Sequence, residues 1–186
     1  MPDPPISSPE SSRGLTVWFT GLSSSGKTTL SRALYDALKT RGYAAEWLDG
    51  DAVRQKLSKD LGFSKEDRNE NIRRIGEVAE QMTRRGTIVL VSAISPYRQA
   101  RDEVRRRIGH FLEIWVHAPL NVCESRDRNG IYRRARANQL SHVTGIDDPY
   151  EHPLAPDVEC RTDRETLEES LAKVLDAVQR NLGQRR

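Results

Sequence analysis

The run Gly21-Leu22-Ser23-Ser24-Ser25-Gly26-Lys27-Thr28 places two glycines, three serines and a lysine between the apolar stretch LTVWFT and the helix-like LSRALYDALKTRG. It matches G-x-x-x-x-G-K-[ST], a loop whose main-chain N–H groups surround a phosphate at the positive end of the following helix. Gly21 and Gly26 permit the required backbone geometry, and Lys27 brings a point charge to the β- and γ-phosphates. The Thr28 hydroxyl can ligate Mg²⁺, and Thr29 closes the expected nucleotide contact. A plain Gly/Ser turn would explain the glycines but leaves the lysine without a task. No Asn-Lys-x-Asp signature for guanine is present, so ATP is the expected nucleotide. A phosphoryl-transfer site also needs carboxylates near the metal and near the acceptor hydroxyl. The third apolar run, TIVLVSA, ends in none; Asp49 and Asp51 of LDGD, closing the second run, are the candidates for both tasks. Their plainer alternative is a turn and helix cap.

Such a loop works only if a strand delivers it and a helix leaves it. Apolar runs at 15–20, 44–49, 87–93, 111–118 and, more weakly, 157–162 predict strands, several apolar on both faces as central strands are. Between them, Leu30, Ala33, Leu34, Ala37 and Leu38 form one apolar helical face. Ser64 with Asp67 approximates a capping box before a helix running to about Arg85. Thr162 with Glu165 is the expected box of a last helix striped by Leu167, Leu171, Val174, Leu175, Val178 and Leu182. This alternation predicts an α/β three-layer sandwich around a mainly parallel sheet, the P-loop nucleoside triphosphate hydrolase fold. The charged, turn-rich segment at about 128–156 breaks the rhythm and is expected to act as a lid.

The 186 residues suit one domain, expected over 14–186, behind a Pro/Ser-rich tail at 1–13 expected to be disordered. Charged residues make up 31% and no run approaches a spanning helix, so no membrane association is expected. The opening lacks an apolar signal segment, and two cysteines cannot build a disulfide scaffold; the cytoplasm is the expected compartment. Net charge is +3, but acidic residues interleave with the arginines as on solvated helices. Nucleic acid is therefore not the expected partner; a small anionic ligand would also draw on several arginines.

Beyond the loop, LDGDAVRQKLSKDLGFSKEDRNENIRRIGEVAE, ISPYRQARDEVR, CESRD, RRARAN and TGIDDPYEHPLAP follow in order. Together, from about Leu15 to Arg161, they closely resemble the adenylyl-sulfate (APS) kinases. The resemblance implies transfer of the ATP γ-phosphate to the 3′-hydroxyl of adenosine 5′-phosphosulfate, an Mg²⁺-dependent step of sulfate assimilation. It also implies a homodimer and functional coupling to ATP sulfurylase. By this resemblance Phe63 stacks on the substrate, while Arg54, Arg68 and Asn71 face its anionic head and Ile94 with Ser95 completes the acceptor side. Arginine's planar fork suits phosphate and sulfate oxygens, and Arg68 and Asn71 share a helix side at i, i+3. Read alone, Phe63 is as well a core residue and the arginines solvated charges. Asp51 either takes the hydroxyl proton or holds Mg²⁺ through water. The serine matching Ser95 is a phosphoserine intermediate in some bacterial members; a helix N-cap before YRQARDEV is its alternative. Arg126 is expected near the ATP adenine, and Arg133, Arg136, His142 and Val143 in the lid. Two departures stand out: Ser24 replaces a family glycine, and Asn129 replaces a family lysine.

Overall fold

A computed structural model describes residues 14–183; the N-terminal tail expected at 1–13 lies outside them. The elements are β1 (Leu15–Thr20), α1 (Lys27–Thr40), β2 (Ala45–Asp49), α2 (Gly50–Leu57), α3 (Lys65–Arg84), β3 (Ile88–Ser92), α4 (Arg98–Ile108), β4 (Phe111–His117), α5 (Leu120–Ser125), α6 (Ile131–Arg136), β5 (Val158–Arg161) and α7 (Leu167–Gly183). The five strands form one sheet in the order β2-β3-β1-β4-β5. Every ladder is parallel, with Trp18 of β1 opposite both Val91 of β3 and Glu113 of β4.

Because side chains alternate across a strand, consecutive apolar residues supply both faces of the sheet. Val17, Phe19, Leu90 and Ile114 pack with Leu30, Leu34 and Leu38 of α1 and Val174 and Val178 of α7. Trp18, Val89 and Val91 pack on the other face with Ile72, Ile75 and Ala79 of α3 and Val104 of α4. These are the two outer layers of the expected sandwich. β1 sits in the middle with β3 and β4 as neighbours, so the chain's course reverses there. At such a switch point the loops at the carboxyl ends of the strands diverge and leave a cleft.

Two expectations about α7 need correction. Its reciprocal capping box is Thr166 with Glu169, not Thr162 with Glu165. The Thr166 amide donates to Glu169 Oε2 at 2.8 Å and the Glu169 amide to Thr166 Oγ1 at 3.2 Å. The same T-x-x-E pattern occurs twice within eight residues, and only the second copy abuts the helix. Leu167, counted in the apolar stripe, is exposed and lines the cleft. Ser64 caps α3 as expected, accepting from the Asp67 amide at 3.1 Å.

The segment at 128–156 also contains more structure than a loop. It holds α6, and its Tyr132, Ala135 and Val143 form a third small core with Ala118 and Cys123, against Leu22 of the glycine-rich loop.

Candidate active site

The β1–α1 loop runs from Gly21 to Gly26 at the carboxyl end of β1. A side chain at Gly21 would meet the Val116 carbonyl at 2.3 Å, so the turn admits only glycine. Gly26 caps α1 at φ 103 with no side-chain bond, leaving the helix's first amides without an intrahelical partner. Ser24 stands at φ 59, the left-handed region where glycine is usual. Lys27 folds back over this turn, its Nζ donating to the Leu22 carbonyl at 2.6 Å. Burial pulls its pKa down to about 8, against the weaker upward pull of Asp51 and Asp49.

A cavity of about 1130 Å³ opens from this loop. Ser23, Ser24, Gly26, Lys27, Thr28 and Thr29 line one part of it; Leu22 lies in the lid core instead, and Ser25 is buried below the loop. Asp49, Asp51, Arg54, Phe63, Arg68, Asn71, Ile94 and Ser95 line another part. Residues more than 60 positions apart in sequence thus share one space, as a two-substrate enzyme needs.

Asp49 is the N-cap of α2, its Oδ1 accepting from the amides of Asp51 and Ala52 at 3.1 Å each. The cap alternative holds for Asp49, while Asp51 is exposed in the first turn of the helix. Gly50 between them is required by packing, because a Cβ there would lie 2.5 Å from the Ser92 carbonyl. Phe63 is 55% exposed, which removes the core alternative. Its ring lies under Arg54 at 4.5 Å and beside Arg68 at 5.8 Å. Arg54 donates to the carbonyls of Leu61 and Gly62, which fixes the Phe63 loop. Arg68 is committed too: Nε to the Phe63 carbonyl at 3.0 Å, Nη1 to Thr144 Oγ1 at 2.9 Å, Nη2 to the His142 carbonyl and Asp148. The arginines are therefore not merely solvated charges, and Arg68 joins α3 to the lid. Asn71, 8% exposed, holds its Oδ1 buried with no hydrogen-bond partner among the described residues.

Ser95 is buried at φ 42, its Oγ accepting from Trp18 Nε1 at 3.0 Å and donating to the Ala93 carbonyl at 3.2 Å. It does not cap α4; that N-cap is Tyr97, and the Glu151 carboxylate accepts from the Arg98 amide at 2.9 Å. Arg126 donates to Thr162 Oγ1 at 3.2 Å and to the Thr162 carbonyl at 2.8 Å, on the cavity wall below the glycine-rich loop. Of the lid residues, His142 and Val143 line the cavity, whereas Arg133 and Arg136 do not; Arg136 pairs with Glu124 at 2.9 Å.

Several contributors were invisible in sequence. Tyr132 Oη donates to the Ser23 carbonyl at 3.0 Å, tying the lid to the phosphate loop. Thr162 Oγ1 donates to the Ser25 carbonyl at 2.7 Å across 137 residues. Neither residue belongs to a local pattern that betrays such a contact.

The family model for adenylylsulphate kinase matches residues 13–161. The chain belongs to the adenylylsulphate kinase family. It is thereby a P-loop kinase, an ATP-dependent phosphotransferase. The adenylyl-sulfate kinase of Rippkaea orientalis is 64% identical over 162 residues, covering 87% of this chain and 90% of that one. That of Halothermothrix orenii is 56% identical over 164 residues, 88% and 89% of the two chains. Among solved structures, the Mycobacterium tuberculosis APS kinase CysC in complex with AMPPNP and APS superposes with TM-score 0.86 at 42% identity, covering 90% of this kinase and 98% of that chain. A hexameric APS kinase from Thiobacillus denitrificans gives 0.71 at 35% identity, over 94% of this kinase and 30% of that longer chain. A gluconokinase from Sinorhizobium meliloti, at 23% identity and TM-score 0.62, covering 92% and 94% of the two chains, shares the fold alone.

Proposed function

We propose that this adenylyl-sulfate kinase moves the γ-phosphoryl group of ATP to the 3′-hydroxyl of adenosine 5′-phosphosulfate within the cavity between the glycine-rich loop and the Phe63 clamp. The observation that carries this reading is the shared space: phosphate loop, two aspartates and an arginine-flanked aromatic ring line one cavity.

On the donor side, the unpaired first amides of α1 and Lys27 hold the triphosphate, and Arg126 borders the adenine. Thr28, Asp49 and Asp51 offer hydroxyl and carboxylate oxygens, the hard donors Mg²⁺ takes, and all three line the cavity. Among the described residues no cluster of three or more His, Cys, Asp or Glu could hold a metal ion. The ion would neutralise charge between the β- and γ-phosphates.

On the acceptor side, Phe63 stacks on the adenosine, and Arg54, Arg68 and Asn71 surround the phosphosulfate. The buried, unpartnered Asn71 Oδ1 is an acceptor waiting for a donor such as a ribose hydroxyl or the adenine amine. Asp51, which lines the cavity from the first turn of α2, orients the 3′-hydroxyl and takes its proton. Ser95 Oγ, engaged by Trp18 and Ala93, favours direct transfer between the nucleotides over a phosphoserine intermediate. Segment 128–156, docked on both sides through Tyr132 and Arg68, excludes water from the transferring group. A cytoplasmic homodimer working alongside ATP sulfurylase, without nucleic acid, completes the reading; among the described residues no helix is long and apolar enough to cross a membrane.

The test is ADP release from ATP with and without adenylyl sulfate, repeated with Lys27→Ala. Turnover should depend on adenylyl sulfate and fall by about 10²-fold or more in the variant. Equal ADP release with and without adenylyl sulfate would refute the proposal.

A further inference from the structure

Arg101 on α4 is 2% exposed and lies outside the cavity lining, yet all three nitrogens of its guanidinium are hydrogen-bonded. Its Nε donates to Glu113 Oε1 at 2.7 Å, Nη1 to the Ser95 carbonyl at 2.6 Å, and Nη2 to the Glu151 carbonyl at 2.7 Å. One planar fork thus joins a strand carboxylate, the acceptor-side loop and the lid's descending strand of chain. Lysine, with a single nitrogen, has no comparable reach.

The loop it grips is held along its whole length. The Ala93 carbonyl accepts from Ser95 Oγ, the Ile94 carbonyl from Thr20 Oγ1 at 2.8 Å, and the Pro96 carbonyl from the Glu151 amide at 2.8 Å. Thr20 Oγ1 in turn meets Tyr150 Oη at 3.0 Å, and the Glu151 carboxylate caps α4. Ser95 sits at φ 42, a conformation costly for a residue with a side chain and kept only where surroundings over-determine it. Among the described residues, the Arg101 fork on its carbonyl is the charged restraint on that residue.

We infer that Arg101 is a positioning residue of the acceptor site: with Glu113 behind it, it locks the Ile94–Ser95 wall in its strained form and clasps Tyr150–Glu151 of the lid to the same wall. This rests on the reading of that wall as the side that receives adenylyl sulfate. Arg101 touches neither nucleotide; it acts through the main chain of Ser95 and Glu151.

Two variants test it. Arg101→Lys keeps the charge opposite Glu113, and hence the fold, while losing most of the fork. The double variant Arg101→Met with Glu113→Met removes both charges together, a replacement that buried ion pairs commonly tolerate. In each, the KM for adenylyl sulfate should rise about 10-fold or more, with the KM for ATP within about 2-fold of wild type. A general loss of packing would instead lower the active fraction and leave both KM values unmoved. Unchanged kinetics in either folded variant, or equal rises in both KM values, overturns the assignment. Failure of the underlying reading is distinct, because wild-type protein would then show no adenylyl-sulfate-dependent turnover at all.

Discussion

At the residue scale, the two glycines and the lysine of the phosphate loop are chosen by different forces. Gly21 answers to a carbonyl that would meet any Cβ, whereas Lys27 is buried at an energetic cost that a bound triphosphate repays. With the free protein's Lys27 at about 8 and an unfolded lysine at 10.5, the unfolded chain holds more protons between those values. The contribution of Lys27 to stability therefore rises as pH climbs through that window. Nucleotide binding works the opposite way, because phosphates favour the charged amine. ATP binding at pH near 8.5 should be accompanied by proton uptake, which vanishes in Lys27→Met; calorimetry in buffers of different ionisation enthalpy reads it directly. Ser24 is a second departure from what the backbone prefers, at φ 59. Ser24→Gly should relieve about 1 kcal/mol of that strain, offset in part by the greater entropy of the unfolded chain. Urea denaturation should show a net change under about 1 kcal/mol, with kcat retained.

At the scale of elements, the short helices and caps explain why the site has its shape. Asp49 ends β2 and starts α2 in one residue, which holds Asp51 in the first turn at the cavity wall. The capping of α7 separates two threonines of identical local context. Thr166→Ala should cost about 1 kcal/mol in denaturant unfolding and leave the KM for ATP unchanged. Thr162→Ala should do the reverse, raising the KM for ATP because the Ser25 carbonyl and Arg126 lose their partner. Helix α6 hangs on Asp127, whose carboxylate accepts from the amides of Ile131, Tyr132 and Arg133. That cap aims Tyr132 at the phosphate loop.

At the scale of the whole molecule, segment 128–156 is a strut between the two halves of the cavity rather than a flap attached to one. Tyr132 and Leu22 anchor it at the glycine-rich loop, Arg68 with Thr144 and Asp148 at the Phe63 side. A strut bridging both halves predicts that each nucleotide tightens the binding of the other; Tyr132→Phe should weaken that coupling while leaving the affinity for either nucleotide alone within about 2-fold. Titration of one ligand in the presence and absence of the other checks it. A second long-range feature is the surface chain Asp60–Arg74–Glu70–Arg73–Glu77–Arg107–Glu80–Arg84, which ties α3 to α4. The Arg73 and Arg74 guanidiniums hold Glu70 down to about 2. Its stabilising part is present above the ordinary glutamate range and is lost as pH falls from there toward 2. Apart from the buried Glu80 the chain is at least partly exposed, so it should contribute little, and added salt should lower the urea midpoint only slightly.

What the sequence determined by itself is whatever repeats or aligns locally: the strand and helix periods, the phosphate loop at 21–28, the Ser64 cap and the parallel three-layer fold. These follow from alternation, helical spacing and backbone sterics, all readable within a dozen residues. Only the tertiary structure decided that Thr162 serves the phosphate loop, that Arg68 braces the lid while Arg133 and Arg136 stay off the cavity, and that Arg101 holds Ser95. The roles of Thr162, Arg68 and Arg101 each rest on a contact between a side chain and a distant carbonyl or hydroxyl. Such acceptors have no residue signature, because every backbone offers the same group, and packing alone determines which one a donor meets.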